Sequence, residues 1–292
     1  MVGLVAGVVV LAQLGSGHGS LVQAPQVKPA AVAPPPPAGA LVLAQEAGTR
    51  AVALAVGQGA RPQLTATVLG SSGDPASGLK LSFRVGAASL AARPCGPGCY
   101  AASAPRAALR RVEVALPGGA VSFRIPAVTP SATAIVARAA RVFRGLRSLV
   151  YVESLRSSPK PGLLTTWRLK APNEVTYDIR RGASAVIIGR TRWDRDSPGA
   201  PWRRSQQIPA LTVPQPSWGD RAVNAHVLGT GRVVGRPVWI VSFANPSTPA
   251  WFTVSIDRRT YRTLRLRMTA AAHFMQHRYV AFDRPLTIRP PG

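Results

Sequence analysis

The apolar pattern from Ser131 to the C-terminus constrains this chain most: one helical period, then strand alternation throughout. Ile135, Val136, Ala139, Val142, Phe143, Leu146, Leu149 and Val150 recur at i, i+3, i+4 and i+7, the spacing of a single buried helix face. Thr129-Pro-Ser-Ala supplies the helix start, with Ser131 as its cap. Beyond Val150 the spacing predicts strands over 149–155, 163–171, 174–180, 183–188, 191–194, 222–234, 237–243, 251–256, 263–269, 273–282 and 286–289. Val175, Tyr177 and Ile179 alternate with Thr176, Asp178 and Arg180; Leu264, Leu266 and Met268 alternate with Arg265 and Arg267. Such half-buried strands form an antiparallel sheet with one wet face. One helix against a meander gives a curved, one-sided sheet with something to hold.

Between residues 41 and 128 the pattern is shorter strands with turns every eight to twelve residues: 50–56, 63–68, 79–84, 88–92, 99–102, 111–115 and 121–125. Gly70-Ser-Ser-Gly-Asp-Pro75 and Pro117-Gly-Gly119 are turn sequences. This number of strands in under a hundred residues fits an immunoglobulin-like β-sandwich, a spacer or protein-contact module. The expected layout is therefore an apolar stub (1–14), a Pro-rich tether (15–40), the sandwich (41–128), and a half-barrel with an N-terminal helix (129–292). The stub is too short for the ~20 residues of a spanning helix and lacks a basic leader, so it reads as an anchor, a poor signal, or the tail of a membrane helix. Ala33-Pro-Pro-Pro-Pro-Ala38 makes the tether semi-rigid.

The formal charge is +25. Residues 39–127 carry 9 basic and 3 acidic groups, residues 128–292 carry 26 and 8. That excess favours an anionic membrane surface or an acidic protein, although a high-GC coding sequence would also enrich arginine. Nucleic acid is a poor fit, since the arginines are scattered along strands and no recognition helix or zinc-finger spacing accompanies them. Arg138, Arg141, Arg144 and Arg147 lie off the apolar helix stripe; they form a docking face or the solvated back of a helix that covers a sheet.

Cys95 and Cys99 lie in Pro94-Cys-Gly-Pro-Gly-Cys-Tyr100, where the central turn brings them within disulfide range. Two thiolates without a nearby His or third Cys are an incomplete metal set, so a disulfide and an oxidising, extracytoplasmic compartment are expected. All six tryptophans lie beyond residue 160. Trp167, Tyr177, Trp239, Trp251 and Met268 are the candidate lining of an apolar cavity, with a filled core as the alternative. His273, Met275, His277 and Tyr279 share one face if 273–282 is a strand. His273 and His277 would then stand ~13 Å apart at ~3.3 Å per residue, too far to share one ion, leaving adjacent His–Met pairs helped by Met268; a helix over 270–277 would bring the histidines together for copper or zinc. Asp194 and Asp196 sit beside Arg192 and Arg195 and read as local ion pairs, and His226 stands alone. With no phosphate loop, nucleophile elbow or zincin motif, no enzyme and no obligatory cofactor is expected.

The leading helix, the Trp193-Asp194 hairpin, Pro237-Val-Trp-Ile-Val-Ser-Phe243, Trp251-Phe-Thr-Val-Ser-Ile-Asp257 and Tyr279-Val-Ala-Phe-Asp-Arg-Pro-Leu-Thr-Ile288 together resemble the LolA-like lipoprotein-carrier fold. The sandwich resembles YtkA-like modules, and the order of parts is similar to the extracytoplasmic tail of actinobacterial copper-resistance D-type membrane proteins. These resemblances imply a membrane-tethered, extracytoplasmic protein that binds lipid, lipoprotein or a membrane-protein segment, accessory to a copper-transport membrane protein. The alternatives are a copper-handling domain using His273, Met275 and His277, and a structural envelope domain.

Overall fold

The computed structural model describes residues 32–157, 162–215, 218–247 and 249–292. The expected stub and most of the tether lie outside these residues. Among them, no helix is long and apolar enough to cross a membrane.

The first unit consists of β1 (Leu41–Ala47), β2 (Arg50–Val56), β3 (Gln63–Leu69), β4 (Ser82–Val85), β5 (Ala88–Ala91), β6 (Arg93–Gly96), β7 (Cys99–Ser103), β8 (Arg111–Leu116) and β9 (Gly119–Arg124). They form two antiparallel sheets, β1-β2-β3-β7-β6 and β5-β4-β8-β9. Leu54, Leu64 and Val68 from one sheet meet Phe83, Val112 and Phe123 from the other in a common core. Tyr100 lies in the same core and donates its hydroxyl to the Ala76 carbonyl (2.6 Å). Cys95 and Cys99 form a disulfide across the β6–β7 turn, with their Cα atoms 5.0 Å apart. Gly98 is required there: its φ is +61° and a Cβ would stand 2.7 Å from the Val68 carbonyl oxygen.

In the second unit α1 (Thr133–Arg144) is followed by β10 (Ser148–Arg156), β11 (Leu163–Lys170), β12 (Glu174–Ile179), β13 (Ser184–Ile188), β14 (Thr191–Arg195), β15 (Arg203–Gln206), β16 (Val223–Val233), β17 (Arg236–Asn245), β18 (Ala250–Asp257), β19 (Thr263–Ala270) and β20 (His273–Phe282). All eleven strands form one antiparallel sheet in the order β15-β14-β13-β12-β11-β10-β20-β19-β18-β17-β16. The chain thus runs outward from β10 to one edge, crosses to the other, and returns to close beside its first strand. α1 lays Val136, Ala139 and Phe143 on the inner face, where they pack with Leu149, Leu169, Val175, Val241, Phe243 and Val254. The segment between β15 and β16 adds Trp218, whose ring lies 5.9 Å from Phe143 and 6.1 Å from Phe243.

Three expectations need correction. The helix starts at Thr133, not at a Ser131 cap, because residues 130–132 pair with β16: Ala132 N–H donates to the Ala225 carbonyl and Val227 N–H to the Pro130 carbonyl. It ends at Arg144; Leu149 and Val150 continue the helical spacing only by coincidence and are strand residues. Residues 286–289 form no strand, since Pro285, Pro290 and Pro291 offer no donors to a ladder. The eleventh strand is instead β15, a fully exposed edge of Arg, Arg, Ser and Gln without an apolar period.

The units pack against each other. Val42, Ala51, Ala53 and Ala55 meet Ala244, Trp251 and Phe274, with Ala33 and Ala40 of the incoming segment in the same cluster. Asn224 clasps that segment, its Oδ1 accepting from Gly39 N–H (3.1 Å) and its Nδ2 donating to the Pro37 carbonyl (2.7 Å). An ion pair between Arg156 and Glu46 closes the contact. The helix arginines are partly spent within the chain: Arg138 stacks on Tyr261 (3.9 Å) and Arg144 pairs with Asp220 (2.8 Å).

Candidate functional site

Strand register builds the site. Tyr279 of β20 stands opposite Tyr151 of β10, Tyr151 opposite Trp167 of β11, and Trp167 opposite Tyr177 of β12. Alternation puts all four on the inner face, as a ladder across four adjacent strands. Successive ring centroids are 5.4, 6.0 and 4.9 Å apart, and Phe143 of α1 meets the Tyr279 end edge-on at 6.0 Å.

The next row along the same strands is His277, Glu153, Thr165 and Ile179. His277 Nε2 lies 2.8 Å from Glu153 Oε2 and its Nδ1 3.2 Å from the Tyr279 hydroxyl. Every group is satisfied when Nε2–H donates to the carboxylate and Tyr279 O–H donates to Nδ1. The Tyr151 ring packs on this imidazole at 4.6 Å. Burial, with the Glu153 charge adding to it, holds the Tyr279 phenol far above its ordinary range, and the same two causes raise Tyr151. At the other end of the ladder, burial raises the Tyr177 phenol, although Arg192 donates to its oxygen (3.2 Å). Arg192 is neutralised by a two-pronged bond to Asp194.

Two polar atoms in these rows have no partner. Thr165 Oγ1, on a residue fully removed from solvent, and Trp167 Nε1 are buried without hydrogen bonds. The third row, Met275, Leu155 and Leu163, is apolar and opens outward, with Leu163 45% exposed.

Of the cavity residues expected from sequence, Trp167 and Tyr177 meet in the ladder, and Met268 lies in the same core opposite Met275. Trp239 is on the inner face but at another rim, against Tyr261 (5.3 Å) and Arg258 (5.6 Å). Trp251 requires correction. Its neighbour Phe252 points into the inner core, so alternation turns Trp251 to the outer face, where it packs on the first unit. For the copper alternative, residues 273–282 are the expected strand, which keeps the two histidines apart, and both His277 ring nitrogens are engaged with Glu153 and Tyr279. His273 Nδ1 contacts the Ala271 carbonyl (3.1 Å). Among the described residues no group of three or more His, Cys, Asp or Glu side chains could hold a metal ion. Asp194 and Asp196 are ion-paired as expected from their surroundings, although the partner of Asp196 is Arg203, not Arg195. His226 is not isolated: its ring nitrogens approach the Thr129 and Gly39 carbonyls at 2.9 and 3.1 Å.

Sequence reasoning missed Tyr151, Glu153 and Thr165. Only the β10–β20 and β10–β11 registers reveal them, because the signal is a pairing between distant segments.

No protein-family model matches the chain, and no curated protein matches it. The chain is similar in structure to LprF from Mycobacterium bovis (13% identity, TM-score 0.41, covering 56% of this chain and 99% of that one). It is also similar to the lipoprotein LppX from Mycobacterium tuberculosis (13%, TM-score 0.43, 54% and 97%). A third similar structure is a LolA superfamily protein from Nitrosomonas europaea (11%, TM-score 0.27, 54% and 96%).

Proposed function

We propose that this chain acts by binding, not catalysis, and that its second unit holds an apolar molecule such as a lipid or the acyl part of a lipoprotein. The observation that carries this reading is the aromatic ladder from Tyr279 to Tyr177, which starts against Phe143 of α1 and lies two rows in from the exposed Leu163. Large aromatic rings with a few converging polar groups are the usual lining of a small-molecule site. The Cys95–Cys99 disulfide supports an extracytoplasmic setting, and the first unit, packed through Trp251 and Phe274, serves as a spacer or partner-contact module.

The test is titration with the apolar dye N-phenyl-1-naphthylamine, combined with native mass spectrometry of the purified chain. Saturable dye binding weakened about tenfold in Tyr151→Ala and Trp167→Ala, and unchanged in Arg84→Ala of the first unit, is expected. A protein that binds no dye and carries no co-purifying apolar molecule would overturn the reading.

A further inference from the structure

On the inner face, polar side chains gather in a block three strands wide and two residues deep: His277, Glu153 and Thr165 in one row, Tyr279, Tyr151 and Trp167 in the other. Six buried side-chain polar atoms lack partners among the described residues, and two of them, Thr165 Oγ1 and Trp167 Nε1, are neighbours on one face of β11 inside this block. A buried polar atom left without a partner costs about 1–3 kcal/mol, so two side by side mark a place where a bound group completes them. An indole N–H can only donate, and a threonine hydroxyl both donates and accepts. The missing group is therefore a hydrogen-bond acceptor.

Its charge is constrained as well. Glu153 is a buried acid whose one ionisable partner is His277, so the block is neutral or negative in either protonation state of the imidazole. The nearest cation along the ladder, Arg192, is held by Asp194. No arginine or lysine is among the groups that act on the Tyr151 and Tyr279 phenols, and a second anion beside Glu153 would be repelled at low dielectric.

We propose that this block receives a neutral carbonyl, an ester or amide, of the bound apolar molecule and discriminates against a free carboxylate. The carbonyl oxygen accepts from Trp167 Nε1–H and Thr165 Oγ1–H, while the alkyl portion lies along Met275, Leu155 and Leu163 toward the rim. The inference rests on the apolar-binding reading above and adds the class of molecule.

Competition against bound dye by undecane, methyl decanoate and decanoate at about pH 8 separates the two. The full chain should bind the ester about tenfold tighter than the hydrocarbon, the effect of two modest hydrogen bonds, and decanoate at least tenfold weaker than the ester. Thr165→Val combined with Trp167→Phe should bring the ester-to-hydrocarbon ratio to about one while undecane still competes, which also shows that the variant is folded. Thr165→Ser, which keeps the hydroxyl, should keep most of the preference. An unchanged ratio in the double variant, or decanoate competing as well as its methyl ester, overturns the inference while leaving apolar binding intact. If neither undecane nor the ester competes, the apolar-binding reading falls and the inference with it.

Discussion

Glu153 and His277 stand directly opposite each other on β10 and β20, with Oε2 2.8 Å from Nε2 and both side chains nearly sealed from solvent. The charge is tolerable there because the imidazole completes it on one side and Tyr279 completes the imidazole on the other. Removing the histidine's partner leaves a buried polar ring uncompensated. Glu153→Ala should therefore cost about 3–5 kcal/mol, and Glu153→Gln, which preserves shape and an acceptor, clearly less. Urea unfolding checks both; equal costs would mean that the charge plays no part.

The tyrosines make a prediction about alkali. Three of the five, Tyr151, Tyr177 and Tyr279, have phenols raised by burial. In the unfolded chain they ionise near the ordinary value of about 10, so above that pH the unfolded state binds fewer protons than the folded one. Their contribution to stability is complete below pH ~10 and is lost as pH rises beyond it. Absorbance at 295 nm should show a late wave of ionisation coinciding with loss of far-ultraviolet circular dichroism. Complete ionisation near pH 10 with the dichroism intact would contradict the burial of the ladder.

Trp251 couples the two units and has no part in the inner face. Trp251→Ala opens a cavity against Val42 and Ala53, at about 3–5 kcal/mol. Calorimetry should resolve two transitions in the variant where the parent has one, and dye binding should be unaffected. Weakened dye binding with a single transition would place Trp251 in the ligand site after all.

The Cys95–Cys99 link closes a very short loop, with a sequence separation of 4. Chain entropy then gives roughly 2 kcal/mol, at the low end for disulfides. Cys95→Ser with Cys99→Ser should lower first-unit stability by about this amount and leave the ester preference of the second unit unchanged. A loss of binding would show that the staple reaches beyond its own sheet.

The sequence exposed most of the strand plan, because a half-buried sheet writes its two faces as alternation. Val175, Tyr177 and Ile179 needed no partner to be assigned to the inner face, and the Cys-Gly-Pro-Gly-Cys turn announced its own bridge. Two kinds of feature stayed hidden. The β15 edge carries only polar residues, so its pairing with β14 leaves no period to detect. The polar block depends on register: Glu153 and His277 are 124 residues apart, and neither is unusual until the strands are laid side by side. Trp251 misled for a related reason, since residue size does not reveal which sheet face a strand turns toward the ligand and which toward a neighbouring unit.

The most direct test follows the indole N–H resonances of the 15N-labelled chain during addition of methyl decanoate. Trp167 is expected to shift strongly as its free donor finds an acceptor, with Trp251 and the outlying Trp202 unmoved. Saturating ester that leaves the Trp167 resonance in place, or that moves only Trp251 or Trp202, would contradict a ligand seated on the aromatic ladder.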